Sequence, residues 1–189
     1  MKLAALVLAA GSARRFGGDK LAASFRGRPL VHHAIAAARA APVERVVVVC
    51  SDCLAIGDWP GGPAVETVRI ASTALAQSLR AGMAAVAEAE GAFVFLGDMP
   101  LIPHDIAGRL AGRLGANFAA VPRCAGRSGH PVLFSRRAFG AITRLTGDEG
   151  AGRLLRRRDD IAFLEVSDDA ILLDVDRAAD IARLEKHAR

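Results

Sequence analysis

Leu3-Ala4-Ala5-Leu6-Val7-Leu8-Ala9-Ala10-Gly11-Ser12-Ala13-Arg14-Arg15-Phe16-Gly17-Gly18-Asp19-Lys20 is an apolar run that breaks into a glycine-punctuated loop carrying Arg14, Arg15 and Lys20. The run is far shorter than the ~20 apolar residues of a membrane span and reads as a buried strand. A loop leaving such a strand with small residues and fixed cations suits a polyphosphate. Gly11 and Gly17 permit tight turns and close backbone approach, so main-chain N–H groups can face phosphate oxygens. Arg15 and Lys20 would neutralise the charge. Two familiar phosphate loops fit badly. Walker A needs Gly-Lys-Ser/Thr, but this loop ends Gly18-Asp19-Lys20-Leu21. The dinucleotide fingerprint needs G-x-G-x-x-G, but residue 13 is alanine. The plain alternative is a strand-to-helix turn with solvated basic residues.

Working outward, strand and helix signals alternate. Strands are expected at Leu3 to Ala9, Glu44 to Cys50, Ala64 to Ile70, Ala92 to Leu96, Phe118 to Pro122, from Pro131 to Phe134, Ile161 to Val166 and Ile171 to Asp174. Helices are expected from Pro29 to Ala41, from a Thr73 cap to about Glu90, His104 to Leu114, Arg137 to Arg144, Ala151 to Arg158 and Arg177 to Lys186. Gly57 to Pro63 must be a loop. The alternation predicts an α/β fold: a Rossmann-like three-layer domain with a mainly parallel sheet and helices on both faces. Right-handed crossovers put the loops after strand carboxyl ends along one edge, where open α/β sheets bind ligands.

Composition narrows the function. The 189 residues fit a single domain spanning 1–189. Hydrophobic residues make up 52% and aromatic residues only 5%, so the core must be built from Ala, Val, Leu and Ile. That scarcity of rings argues against a base-stacking nucleic-acid surface. The net charge of +5 is carried mostly by arginine, which grips phosphate with a planar fork, and anionic small molecules account for it. Arg123, Arg127 and the run Arg153 to Arg158 gather near proposed loops, although a solvated helix face explains the last group equally well. Cys50, Cys53 and Cys124 suggest no disulfide framework and point to a reducing cytoplasm. The Cys50-Ser51-Asp52-Cys53 spacing lacks the neighbours of a redox site. Neither a secretory leader nor a membrane span is expected.

Further positions carry chemistry. Gly97-Asp98-Met99-Pro100 puts a carboxylate just past a buried strand, where it can hold a divalent cation or cap the following helix. Asp174 and Asp176 are two apart and share a face if extended, while Asp176 is also placed to cap a helix. Gly129 allows a tight backbone and His130 could donate to a phosphate; a structural turn is the bland alternative. His32-His33 reads as a surface pair, its rings about 100° apart on a helix.

The opening loop resembles LAAGxSxRMGxxK, the nucleotide loop of the MobA-like nucleotidyltransferases, and within them the MocA-type molybdenum cofactor cytidylyltransferases. The match covers Leu8 to Ala10, Gly11, Arg15, Gly17 and Lys20; Ala13 and Phe16 depart from it. GDMP at 97–100 is similar to the family motif whose aspartate is a metal ligand. Residues 174–180 resemble DIDTPEDL, which makes Asp176 the candidate second ligand and Asp174 its alternative. Ser78, Leu79, Arg80 and Gly82 match SSLRAG, Gly126 to Pro131 resemble GxxGHP, and Gly147 to Arg153 resemble GDxGAR with Gly152 inserted.

The resemblance implies a Mg2+-dependent enzyme, with Mn2+ as the alternative ion, that transfers CMP from CTP to the phosphate of molybdenum-loaded molybdopterin. Molybdopterin cytosine dinucleotide and pyrophosphate would be the products, and a molybdoenzyme a partner. It implies Arg15, Lys20 and Asp98 as catalytic residues and Leu8, Ala9, Ala10, Gly11, Ser78 and Gly82 as further nucleotide contacts. Arg127, Gly129, His130, Asp148 and Arg153 would bind the acceptor. Ala10 stands where guanylyl relatives carry glycine and would crowd a purine. Rival readings keep the transfer but use a sugar or polyol phosphate, or make the chain a non-catalytic cofactor carrier.

Overall fold

The computed structural model describes residues 1–11, 16, 18–71, 74–147 and 149–187. In chain order the elements are β1 Leu3–Ala9, β2 Ser24–Phe25, β3 Arg28–Pro29, α1 Leu30–Arg39, β4 Arg45–Cys50, β5 Ala64–Arg69, α2 Leu75–Ala85, β6 Gly91–Leu96, α3 Ile106–Leu114, β7 Ala119–Cys124, β8 Arg127–Ser128, β9 Val132–Ser135, α4 Arg136–Ile142, α5 Gly152–Leu155, β10 Ile161–Glu165 and α6 Ala178–Glu185. The main sheet runs β10-β7-β9-β6-β1-β4-β5, with β8 paired to β7; β2 and β3 form a separate hairpin. β1 is parallel to both β4 and β6, β4 to β5, and β7 to β10. β9 is antiparallel to β6 and β7, so the sheet is mixed but mainly parallel.

β1 is buried along its whole length, as its sequence requires of a central strand. Its side chains alternate between two cores. Leu3, Ala5, Val7 and Ala9 face the layer holding Ile35 of α1, Leu110 of α3 and Leu184 of α6. Ala4, Leu6 and Leu8 face Leu79 and Met83 of α2 and Ile142 of α4. The result is the three-layer α/β arrangement expected from the alternation of elements.

Local differences have physical causes. The expected strand from Ile171 to Asp174 is instead a 3-10 turn over Asp169–Leu172, capped by the Asp168 carboxylate, which accepts from the Ala170 N–H at 2.9 Å. α2 stops at Ala85 and not near Glu90, because Glu90 N–H donates to Lys2 O at 2.8 Å and Gly91 already pairs with Leu3. The expected Thr73 cap lies outside the described residues. α5 is a single turn instead of the longer helix to Arg158. His32 and His33 are not a surface pair: both are half-buried, His33 Nε2 lies 2.8 Å from Phe25 O, and the His32 ring packs edge-on against Trp59. No helix among the described residues is long and apolar enough to cross a membrane.

Candidate active site

The carboxyl edge of β1 and β6 gathers the charged residues. Leu21 and Phe25 are buried and pin the chain on either side of the β1 loop's far end. Between β1 and β2, Lys20 opens a 3-10 turn over Lys20–Ala22, capped by Asp19, which accepts from the Ala22 N–H at 3.3 Å. The Lys20 Nζ donates to Asp98 Oδ2 at 2.7 Å and lies 4.0 Å from Asp176 Oδ1. One lysine therefore sits between two carboxylates from distant parts of the chain.

Backbone contacts hold those carboxylates in place. Gly97 N–H donates to Leu8 O at 2.9 Å. A Cβ on Gly97 would lie 3.1 Å from that oxygen and 3.3 Å from Ala9 Cβ, so the strand ends touch here only because residue 97 is glycine. Met99 is buried and anchors the loop that carries Asp98. Asp98 O accepts from Val175 N–H at 3.0 Å, and Val175 is fully buried, which leaves its neighbours Asp174 and Asp176 beside Asp98. Burial, and then the charges of Asp98 and Asp176, push the Asp174 carboxyl above its ordinary range, against the pull of Lys20. Among the described residues, three carboxylates thus share one lysine, an arrangement that suits a cation.

Neither aspartate caps a helix. α3 has Asp105 at its N-cap position without a side-chain bond. At α6, the Asp180 carboxylate accepts from Asp176 N–H at 3.0 Å and Arg177 N–H at 2.8 Å, leaving the Asp176 side chain toward Lys20.

Of the residues expected to contact nucleotide, Leu8, Ala9 and Ala10 are buried at the end of β1, and Gly11 is exposed where the loop begins. Ser78 is buried in α2. Gly82 faces the sheet: a Cβ there would lie 3.0 Å from Leu6 Cδ1 and from Val49 Cγ2, so its smallness lets α2 settle on β1 and β4. Arg14, Arg15 and Gly17 lie outside the described residues.

Of the residues expected to bind the acceptor, Gly129 is pressed against the 171 turn; a Cβ would lie 2.3 Å from Ile171 O, closer than any side chain tolerates. Gly129 N–H donates to Pro122 O and His130 N–H to Ile171 O, both at 2.9 Å. The peptide bond from His130 to Pro131 is cis. Burial pushes the His130 pKa below the ordinary histidine value, although the Val94 carbonyl and the Asp98 charge favour the cation. His130 lines a cavity of about 420 Å³ with Leu8 and Leu96 on its wall. Arg127 is exposed on the β7–β8 hairpin, and Arg153 is ion-paired to Glu149; neither lines that cavity. Asp148 lies outside the described residues. Arg156, named in the sequence only within a cationic run, does line the cavity. So do apolar residues from seven elements, whose spacing gave no motif.

Other chemistry-bearing groups stand apart. Cys50, Cys53 and Cys124 are free thiols, and burial raises the Cys50 pKa. Asp168, Asp169 and His187 bring ligand atoms within 4.8 Å on the surface, but Asp168 caps Ala170 and Asp169 pairs with His187 at 3.5 Å.

The model of the MobA-like NTP transferase domain matches residues 5–161. The purine catabolism protein PucB of Bacillus subtilis is 29% identical over 188 residues, covering 92% of this chain and 91% of that protein. Shorter matches are to a 2-C-methyl-D-erythritol 4-phosphate cytidylyltransferase of Dechloromonas aromatica and a probable molybdenum cofactor guanylyltransferase of Pyrococcus horikoshii. The first is 42% identical over 94 residues, 44% of this chain and 40% of that one; the second is 48% identical over 52 residues, 27% of each. Among solved structures, Rv0371c of Mycobacterium tuberculosis superposes with a TM-score of 0.86 at 28% identity, covering all of both chains. Its complex with manganese gives 0.80 at the same identity and coverage.

Proposed function

The chain belongs to the MobA-like NTP transferase family, and we propose that it transfers CMP from CTP onto the phosphate of a small-molecule acceptor, releasing pyrophosphate. That it is a nucleotidyltransferase follows from the family. The observation that carries the finer reading is Lys20 held between Asp98 and Asp176 at the carboxyl edge of β1 and β6.

An acceptor phosphate is already anionic at neutral pH, so the reaction needs no general base. The difficulty is to bring two anions together while charge moves onto the leaving pyrophosphate. Positioning and electrostatic stabilisation answer that. Lys20 is the group to sit on the α-phosphate, exchanging its contact with Asp98 for the phosphoryl oxygens. Arg15 would hold the triphosphate. Asp98 and Asp176, with Asp174 beside them, form an all-oxygen donor set that fits Mg2+ or Mn2+, and the structure of a relative with manganese supports a divalent ion. The ion, when bound, supplies neutralisation of the phosphate oxygens. Burial disfavours the His130 cation, and its ring would orient the acceptor as a hydrogen-bond partner.

For the acceptor, molybdenum-loaded molybdopterin is the reading carried by the MocA-like motifs, with a molybdoenzyme as the recipient of the product. A polyol or sugar phosphate is the second reading, supported by the cytidylyltransferase relative. Three free thiols support a reducing, cytoplasmic setting for one domain of residues 1–189. The test is pyrophosphate release with magnesium and each of CTP, GTP, ATP and UTP. Each is run alone, with molybdenum-loaded molybdopterin, and with 2-C-methyl-D-erythritol 4-phosphate. Release that requires both CTP and one acceptor supports the proposal and names the acceptor. Release with another nucleotide in preference to CTP, or none at all, overturns it.

A further inference from the structure

We infer that Arg156 lies over the acceptor in an apolar cavity, and that the enzyme thereby selects phosphates with a ring-bearing body over open polyol chains. The inference rests on the transferase reading, but on residues outside the lysine and carboxylate cluster.

The cavity, about 420 Å³, is large enough for a small organic ligand. Its walls come from the same strands that deliver the charged edge: Leu8 stands three residues before Gly11, and Leu96 two before Asp98. A molecule seated there lies beside the ends of β1 and β6, the strands that lead to Lys20 and Asp98. Leu79 of α2, Val132 and Phe134 of β9, and Leu155 of α5 close the other sides. Among the described lining residues, the only polar side chains are those of Ser128, His130 and Arg156. A polyol would leave water with several hydroxyls and find few partners for them, whereas a flat ring would exchange water for aliphatic contact.

Arg156 is set apart by its place on the cavity wall, which Arg157 does not share, and by its lack of the partners that other nearby arginines have. Arg153 pairs with Glu149, Arg158 pairs with Asp160, and Arg136 donates to Ala89 O. The Arg156 guanidinium makes no hydrogen bond or ion pair with the described residues, and it lines both the cavity and a shallow cleft that adjoins it. Gly150 and Gly152 share that boundary and offer bare backbone, with Arg156 Nη1 3.6 Å from where a Gly152 Cβ would stand. An unpaired planar cation at the mouth of an apolar cavity is suited to cover the face of a ring.

The experiment is calorimetric binding of 1-naphthyl phosphate and of 2-C-methyl-D-erythritol 4-phosphate to the full chain with magnesium present. It is run on wild type, Arg156→Ala and Arg157→Ala, the last removing the same charge from the neighbouring exposed position. The expected result is tighter binding of the aromatic phosphate by wild type, weakened about 10-fold by Arg156→Ala and unchanged by Arg157→Ala. Equal or tighter binding of the polyol phosphate, or an Arg156→Ala chain that binds like wild type, overturns the inference. Pyrophosphate release, measured in parallel, separates the two proposals. Acceptor-dependent release with an acceptor KM unmoved by Arg156→Ala keeps the transferase and removes the inference. Ring-selective, Arg156-dependent binding without any release removes the transferase reading and leaves the inference standing.

Discussion

The two halves of the strand edge are built in opposite ways. At β1 and β6, a few charged side chains converge: Lys20 touches Asp98 and approaches Asp176, and backbone bonds through Gly97 and Val175 fix the spacing. At β9, β7 and α5, the neighbouring cavity is walled mainly by aliphatic side chains, with one histidine and one unpaired arginine on its margin. On the proposed reading, the first half handles the triphosphate and the second meets the acceptor. Phosphate chemistry needs particular groups at particular points, whereas a cavity wall needs only volume and apolarity. A change in the first half should therefore strike turnover, and one in the second should strike stability or choice of substrate.

The largest effect tests the charged half. Lys20→Ala should lower kcat about 10²- to 10³-fold under saturating nucleotide, by analogy with the loss of one oxyanion donor. The loss should appear as pyrophosphate release at near-normal thermal stability, because Lys20 and Asp98 are both partly exposed and their pairing adds little to folding. A Lys20→Ala enzyme at wild-type rate would break the contrast.

That same contrast explains what could be read from the chain. The Lys20 loop, GDMP and the aspartates near 176 are short, local signals, because each is one strand end or turn with a required residue type. The alternation of strands and helices was equally plain, since a buried parallel strand segment such as Val46 to Cys50 must be apolar throughout. The turn over Asp169–Leu172 was not, because an apolar Ile-Leu-Leu run looks like a strand until the Asp168 cap and the contact with Gly129 bend it. The cavity was illegible for a deeper reason: its walls come from residues spread from position 8 to 163, ordinary core residues taken singly. Arg156 could be seen only as one of a basic run; what distinguishes it is its place on the cavity wall.

On the cavity side the next effect is one of folding. Gly129→Ala would drive a methyl group into Ile171 O, a backbone atom that cannot swing aside. The expected loss is about 3 kcal/mol, the upper end of ordinary overpacking, read as a fall in the denaturant midpoint. If Gly129→Ala folds as stably as wild type, the 129–171 contact does not fix this wall. A smaller, pH-dependent effect should come from His130. Its folded pKa lies below the ordinary value of 6.5, so the unfolded chain binds the proton more readily. Stability should be full above that value and decline as pH falls below it. His32 is shifted the same way by burial, so part of the decline should survive in His130→Gln. Thermal melts from pH 7.5 to about 5 in both chains measure His130's share; identical profiles would show that it has none.

The smallest effect lies where the two halves meet. Ala10 is buried at the end of β1, against the core shared with α2, and it follows Leu8, a wall of the cavity. Its methyl group is the feature expected to disfavour a purine. Removing a methyl frees little volume, and steric discrimination of that size is worth about 1–3 kcal/mol. Ala10→Gly should therefore shift the ratio of kcat/KM for CTP over GTP toward GTP by about 10-fold, the lower end of that range. The rate with CTP should fall little, since Lys20 and the carboxylates are untouched. Because a core methyl is also lost, the ratio and not the absolute rate is the quantity to compare. A ratio that does not move would shift base selection off the β1 terminus and onto the start of α2, where Ser78 is buried, leaving the strand end with phosphate placement alone.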